Sequence, residues 1–373
     1  MSQSKSITFG FQAAPTSENP VSDHELYREV VEDCKLGASL GYEAAWLLEH
    51  HFSDYYPTPS PLVFMAHIAA QCPTLGLGTS VLVLPWYHPL RLAEEIAMVN
   101  ALTEGTLHLG IGRGTAKMEY DAYGVDMNEA RARFTEIYQI VEKGLTGEPF
   151  TYQGVHHRID RAIQVRPMPT GKAVDFYGAI GSPGSASIMA ELGLPPLCLA
   201  QFPEHLLERV IDTWRETRVK LGQPTDVTIP LAVKLFMGDT DDQARDLART
   251  YLPRNFALQA KHYEVDANPW KDIPEYEVFS RMFANMKKMT DPANLGPMMD
   301  LNFVGTADTI GRRIETLQAI GFNYFMVSSA TPGVPKELRR EMYVRFAEEV
   351  APRFDSGFGR RAAPTRIAAA GDD

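Results

Sequence analysis

The 373-residue sequence has few cysteines, no excess of basic charge and no long apolar run. Its three cysteines, Cys34, Cys72 and Cys198, lie far apart without metal-ligand spacing, so we interpret them as reduced thiols of a cytoplasmic protein. The net charge of -11 argues against binding to nucleic acid or to anionic membranes, because both need a basic surface. No apolar run reaches the roughly 18 residues of a membrane span, and we expect no signal peptide.

The dominant pattern is an alternation of short apolar or β-branched runs with longer segments of helical period. This alternation predicts a mainly parallel sheet covered by helices. Strands are predicted at 7–12, 44–49, 76–84, 106–111, 174–180, 196–199, 227–238 and 324–329. The first strand runs into Gln12-Ala13-Ala14-Pro15 and not into a glycine-rich dinucleotide fingerprint, which disfavours a doubly wound sheet. We therefore predict an α/β fold, a (β/α)8 TIM barrel with insertions.

The barrel is predicted to be a single domain covering residues 1–359. Two segments are interpreted as insertions, at about 150–167 and 253–297. The first resembles a small hairpin. The second follows a helix predicted at 239–252, is too long for a simple connection, and is expected to be partly helical and near the active-site face. The Ala-, Arg-, Pro- and Gly-rich segment 360–373 is predicted to be a disordered tail.

The end of the second strand carries Glu49, His50 and His51, and active sites of such barrels lie at the C-terminal ends of the strands. Adjacent strand residues point to opposite faces, so only one histidine faces the barrel mouth and no metal site is predicted. Two interpretations stay open at this point. The histidine is either a polar residue at a strand end, or a hydrogen-bond donor and general acid or base.

Two further strand ends carry groups suited to phosphate. Glycines on both sides of Arg113 permit close backbone approach, and the guanidinium fork suits a phosphate. After the fifth strand, Ser182, Gly184 and Ser185 stand at a helix start, where free N–H groups bind anions. Each feature alone is equally an ordinary turn or helix cap. Together they predict a site for a phosphorylated cofactor.

These motifs make the sequence similar to the bacterial luciferase-like, flavin-dependent monooxygenases. The resemblance covers about residues 7–354 and keeps the order of the family's motifs. Its densest parts are Trp46-Leu47-Leu48-Glu49-His50-His51-Phe52, the segment 77–85 with His88-Pro89, and 110–114 followed by 123–127. It is looser at 190–195 and 304–306.

The resemblance implies a barrel that binds reduced FMN supplied by a separate flavin reductase. Oxygen then adds to the flavin C4a position, and the peroxyflavin oxidises a small hydrophobic substrate such as an aldehyde, ketone or terpene. His50 matches the histidine beside the reacting flavin, with His51 as its neighbour. Arg113 matches the arginine that binds the flavin phosphate. A homodimer is expected by analogy with the family.

Other positions are assigned by the same resemblance. Ser182, Gly184 and Ser185 fall in the family's phosphate-contacting loop. Ser80-Val81 matches a non-proline cis peptide under the flavin ring. The segment 253–297 falls where the family has a mobile lid, which would keep water from the reacting centre. Independently of the resemblance, aromatic residues near strand ends are candidates for an apolar wall, and each is equally a candidate for the core, namely Tyr55, Tyr56, Phe64, Trp86 and Tyr87.

The sequence departs from luciferase at one position, and two alternative functions stay open. Gly112 stands where luciferase carries a reactive cysteine, which argues against light emission. A deazaflavin-dependent dehydrogenase on the same fold, which transfers hydride and needs no oxygen, is the first alternative. A non-catalytic flavin-binding protein is the second, and intact His50 and Arg113 count against it.

Overall fold

The computed structural model describes residues 6–355, 357 and 358. The predicted tail at 360–373 and the domain boundary at 359 lie outside these residues, so both stay predictions. Within the described residues, no helix combines the length and the apolar character needed to cross a bilayer.

Eight parallel strands close into a barrel, which confirms the predicted (β/α)8 fold. The ring follows the order β1, β2, β3, β4, β7, β8, β9 and β11, and β11 pairs again with β1. The strands of the described chain are β1 (Thr8–Gln12), β2 (Ala44–Leu47), β3 (Gly76–Val83), β4 (Leu107–Gly112), β5 (Phe150–Gln153), β6 (Arg158–Ile163), β7 (Val174–Ala179), β8 (Pro196–Leu199), β9 (Pro230–Met237), β10 (Phe303–Gly305) and β11 (Tyr324–Ser328).

Helices surround the ring on its outer side. They are α1 (Asp23–Leu40), α2 (Pro61–Gln71), α3 (Pro89–Leu102), α4 (Lys117–Tyr123), α5 (Ala130–Gly144), α6 (Pro183–Glu191), α7 (Glu204–Lys220), α8 (Asp241–His262), α9 (Glu277–Lys288), α10 (Gly296–Leu301), α11 (Ala307–Ile320) and α12 (Lys336–Arg345). Local chemistry explains the bounds of α1. Ser22 accepts a hydrogen bond from the backbone N–H of Glu25, and Gly41 ends the helix at a φ of 91°.

The barrel encloses its own small core, separate from the layer between strands and helices. Trp46, Tyr177 and Tyr324 fill the interior, and the Trp46 indole N–H donates to the Tyr324 hydroxyl over 3.0 Å. The larger core joins the outward strand faces to the helices. Successive strand residues point to opposite faces of the sheet, so each strand contributes side chains to both cores. The sequence of a strand is therefore apolar almost throughout. A polar residue within such a strand therefore stands out.

Two parts of the chain differ from the plain alternation. β5 and β6 form an antiparallel hairpin between α5 and β7, as the sequence suggests. The predicted helix end at residue 252 is wrong, because α8 continues through Pro253 to His262. Leu252, Phe256 and Gln259 give the continued helix a buried face, and their packing outweighs the hydrogen bond that proline removes.

The segment beyond α8 is largely helical, with α9, α10 and short 3-10 turns, and it reaches the open end of the barrel. The short strand β10 was not predicted. It pairs in parallel with β9 outside the ring, and its three residues give too brief a pattern to recognise.

Candidate active site

A large pocket opens at the C-terminal ends of the barrel strands. It brings together residues from all eight barrel strands or their C-terminal ends and from the segment 253–297. Of the predicted catalytic and cofactor-binding residues, those lining it are His50, Ser80, Val81, Arg113, Ser182 and Ser185. Gly184 does not line the pocket and is exposed beside it.

Arg113 follows β4 directly, and its side chain is 12% exposed. Its Nη1 donates to Oε2 of Glu275 over 2.6 Å, and Nε of Arg131 donates to the same oxygen over 2.7 Å. The guanidinium also lies 4.9 Å from the centre of the Tyr276 ring. Two arginines thus converge on one anionic oxygen, which is an arrangement suited to a phosphate.

The loop after β7 forms a helix cap as well as a pocket wall. The Ser182 hydroxyl accepts from the Ser185 N–H, and the Ser185 hydroxyl accepts from the Ser182 N–H over 3.1 Å. The side chain of Ser185 is therefore already used by the fold. Gly184 has open space where a Cβ would stand, and its N–H has no hydrogen bond to the described residues. This N–H remains the free donor of the helix start.

Ser80-Val81 forms a cis peptide bond, as predicted. Both residues line the pocket floor, and Nε2 of Gln12 donates to the Ser80 hydroxyl over 3.4 Å. Gly112 lies against them, because a Cβ added there would meet Cγ2 of Val81 at 2.7 Å. A cysteine at position 112 would require Val81 to move.

His50 lies at the pocket wall with its ring among other aromatic rings. The ring centres of Tyr55 and His262 are 4.8 Å and 4.9 Å away. Burial lowers the pKa of His50 well below its usual value, and positive charge on His262 or His51 would lower it further. The imidazole is therefore neutral near pH 7 and offers one donor and one acceptor.

His51 points away from the pocket, as expected for the next residue along the chain. Its Nε2 lies 3.1 Å from Oε1 of Glu49, and its Nδ1 lies 3.0 Å from the Tyr123 hydroxyl. Glu49 also accepts from the Trp86 indole, the Tyr87 hydroxyl and the Val83 N–H. With its oxygens so occupied, Glu49 holds this corner of the barrel together.

The sequence did not reveal two buried titratable residues beside His50. Glu119 accepts from the His51 N–H over 2.8 Å, and burial raises the pKa of Glu119 to about 7. Burial lowers the pKa of His262 to about 4, and its Nδ1 lies 2.7 Å from the Ser53 hydroxyl. Glu119 and His262 belong to helices, where no strand-end position marks them.

His50, Glu119 and His262 present ligand-type atoms within 4.8 Å of one another. This spacing is one that a metal ion could use, although hydrogen bonds to the His51 N–H and the Ser53 hydroxyl already engage two of the groups. The absence of a metal site consequently stays a prediction.

The expected aromatic wall is correct only for Tyr55 and Tyr56, which line the pocket. Phe64, Trp86 and Tyr87 do not, and the last two instead bind Glu49. The segment 253–297 supplies most of the remaining aromatic surface, through Tyr263, Tyr276, Phe279 and Phe283. Lys234 also lines the pocket and was missed, although a lone charge within the apolar run 230–237 was a visible signal.

The closed (β/α)8 barrel carries Arg113 and the half-buried His50 on one pocket at its mouth. The family model described as luciferase-like monooxygenase matches residues 5–324. The chain therefore belongs to this family of flavin-dependent oxidoreductases, which confirms the resemblance found in the sequence.

Relatives and solved structures give the same picture. The uncharacterized protein y4vJ of Sinorhizobium fredii is 41% identical over 148 residues, which are 39% of this chain and 42% of that protein. The oxygenase component of a flavin-dependent trigonelline monooxygenase from Acinetobacter baylyi is 24% identical over 88% of this chain and 90% of its own.

Two solved structures share the fold. The oxygenating constituent of 3,6-diketocamphane monooxygenase from Pseudomonas putida, in complex with FMN, has a TM-score of 0.73 at 21% identity, covering 93% of this chain and 98% of its own. An F420-dependent secondary alcohol dehydrogenase has a TM-score of 0.72 at 14% identity, covering 96% and 100%.

Proposed function

We propose that this chain is the oxygenase component of a two-component monooxygenase, which uses reduced FMN, O2 and a small organic substrate. A separate flavin reductase would supply the reduced FMN. The observation that carries the proposal is that Arg113 and His50 open onto one pocket. The flavin-dependent oxygenase component among the relatives supports the two-component assignment.

The residues present fit FMN. At one end of the pocket, Arg113 shares the Glu275 carboxylate oxygen with Arg131, and this pair of arginines supports a place for an anion. On the same loop as Ser182, Gly184 offers an N–H in open space that has no partner among the described residues. The other end has the aromatic and apolar surroundings that a flavin ring needs, with Ser80 and Val81 on the floor.

Each group then has a role in the proposal. Arg113, with the loop at Ser182 to Ser185, binds the phosphate and so sets the position of the cofactor. Reduced FMN supplies the electrons that activate O2. His50 stays neutral in its buried position and holds or donates a proton at an imidazole nitrogen. The aromatic side chains of the segment 253–297 exclude water from the pocket.

The experiment mixes the protein with reduced FMN and then with oxygenated buffer in a stopped-flow spectrometer. We expect a long-lived absorbance that differs from both oxidised and reduced FMN. His50→Ala should abolish substrate turnover and leave FMN affinity within about threefold, because the imidazole acts at the reacting end and makes no charge-assisted bond to phosphate. Exposed His67 on α2 provides the matched control His67→Ala. Unchanged turnover in His50→Ala would contradict the assignment.

A deazaflavin-dependent dehydrogenase is the second candidate, favoured by the shared fold with an F420-dependent alcohol dehydrogenase. Tight deazaflavin binding with hydride transfer, and no oxygen-dependent absorbance, would support the dehydrogenase and contradict the monooxygenase. A non-catalytic flavin-binding protein would bind FMN and show neither reaction. The cytoplasmic location, suggested by three free buried cysteines, and the homodimer belong to the same proposal.

A further inference from the structure

Lys234 is a cation inside the pocket that neither the phosphate site nor His50 uses. It stands near the C-terminal end of β9, and its surface faces the pocket. Within residues 6–355, 357 and 358, its ammonium has no carboxylate within ion-pair distance. A buried charge without a counter-ion is costly, so proteins seldom keep one unless it binds something.

The nearest polar neighbour of Lys234 does not neutralise it. Its Nζ donates to the Tyr56 hydroxyl over 3.1 Å, and that hydroxyl donates onward to Oδ1 of Asn255 over 2.8 Å. Burial raises the pKa of Tyr56 far above its usual value, so the phenol remains neutral. An ammonium group has three donors, and this contact uses one of them.

A second group beside Lys234 is also unsatisfied. Ser328 on β11 is the register partner of Lys234 on β9, so the two side chains project to the same side of the sheet. Ser328 is 1% exposed, lines the pocket, and its hydroxyl has no hydrogen-bond partner among the described residues. The hydroxyl is thus a donor and an acceptor that no other described residue uses.

Apolar side chains share the pocket with this pair, beside the amides of Asn255 and Asn302. Leu197, Phe256 and Met298 line the same pocket, and Tyr56 connects the pair to His50 through the Tyr55 ring. The pocket therefore offers an ammonium and a hydroxyl on neighbouring strands, with apolar side chains among its other lining residues. Such an arrangement binds a molecule with one anionic group and an apolar body.

We propose that Lys234 and Ser328 bind the carboxylate of the substrate, so that the oxidised molecule is an organic acid with an apolar body. This inference rests on the proposed function and sharpens it, because a neutral aldehyde or terpene would leave the ammonium without a counter-ion. One carboxylate oxygen would accept from the Lys234 ammonium, and the same carboxylate would accept from the Ser328 hydroxyl.

The test compares acids with amides of nearly the same shape. Binding of phenylacetate and hexanoate, and of phenylacetamide and hexanamide, is measured by calorimetry on the full chain. We expect an acid to bind more tightly than its amide by about tenfold to 100-fold, the range of a charge-assisted hydrogen bond. Lys234→Met should bring the two affinities to within about twofold, and Ser328→Ala should weaken acid binding by about threefold to tenfold.

Lys220→Met, an exposed lysine at the end of α7, is the matched control and should retain the preference. Equal affinity for acid and amide in the wild type, no binding of either acid, or a preference that survives Lys234→Met would overturn the proposal. So would a loss of FMN affinity in Lys234→Met equal to the loss for the acids, because the lysine would then serve the cofactor.

The two proposals can fail separately. If the protein shows the acid preference but neither binds FMN nor reacts with oxygen, the proposed function fails and the carboxylate site remains. If FMN binds and reacts but the acid preference is missing, only the carboxylate site fails.

Discussion

The desolvated amine of Lys234 should make the protein less stable than it would be with an apolar residue there. Burial lowers the pKa of Lys234 from 10.5 to about 8. Below pH 8 the folded protein carries the full cost of a buried ammonium. Between pH 8 and 10.5 the unfolded chain binds more protons than the folded one, so stability rises with pH until the cost disappears.

The expected size follows from the two pKa values. Their difference corresponds to a cost of about 3 kcal/mol at roughly 1.4 kcal/mol per pH unit. Lys234→Met removes the charge and keeps an unbranched side chain of similar length. The variant should therefore be more stable than the wild type by up to about 3 kcal/mol near pH 7, and by little above pH 10.5.

Urea unfolding of both proteins at a series of pH values between 7 and 10.5 measures this difference, with Lys220→Met as the control. The difference in unfolding free energy between the two proteins cancels the contributions of all other titrating groups, because those groups are common to both chains. A stability difference that does not change with pH would refute the desolvation argument. A wild type more stable than Lys234→Met at pH 7 would refute it as well.

Three further outcomes are expected. Arg113→Ala should weaken FMN binding by about 1.5–3 kcal/mol. Glu275→Gln should strengthen FMN binding severalfold, because a carboxylate no longer competes for the Arg113 guanidinium. Fluorescence titration measures both affinities, and values equal to that of the wild type would contradict the phosphate role of Arg113. Arg339→Leu should destabilise the fold by about 1–3 kcal/mol in urea, since Oδ2 of the buried Asp33 loses its 2.7 Å partner while Arg340 still donates to Oδ1. The pKa of Glu119 is raised from 4.5 to about 7, so stability falls as pH rises across that window, and Glu119→Gln should flatten this slope.

Much of the fold could be predicted because the barrel repeats one local pattern. Each strand is a short apolar run followed by an amphipathic helix, and the bounds of β8 agree with the predicted strand 196–199 to the residue. The failures occur where tertiary contacts outweigh local preference. The burial of Leu252 and Phe256 carries α8 through Pro253, and pairing with β9 makes a strand of the three residues of β10.

The candidate site was predictable to the extent that it lies at strand ends. His50 and Arg113 each follow a strand, so their place in the barrel follows from the strand order. Glu275 is far along the chain from Arg113, and no local pattern connects them. The pairing of Lys234 with Ser328 likewise depends on which strands become neighbours, since β9 and β11 are separated by four helices.

The pocket has walls of two different kinds, and this difference has a consequence for how the protein could change. Lys234 and Ser328 belong to paired barrel strands, whose geometry the whole ring maintains. Phe279, Met282 and Phe283 belong to α9, in a segment that closes no part of the ring. Replacements in α9 could therefore alter the size and shape of the accepted molecule while its charged end kept the same anchor, so new substrates could arise without rebuilding the barrel.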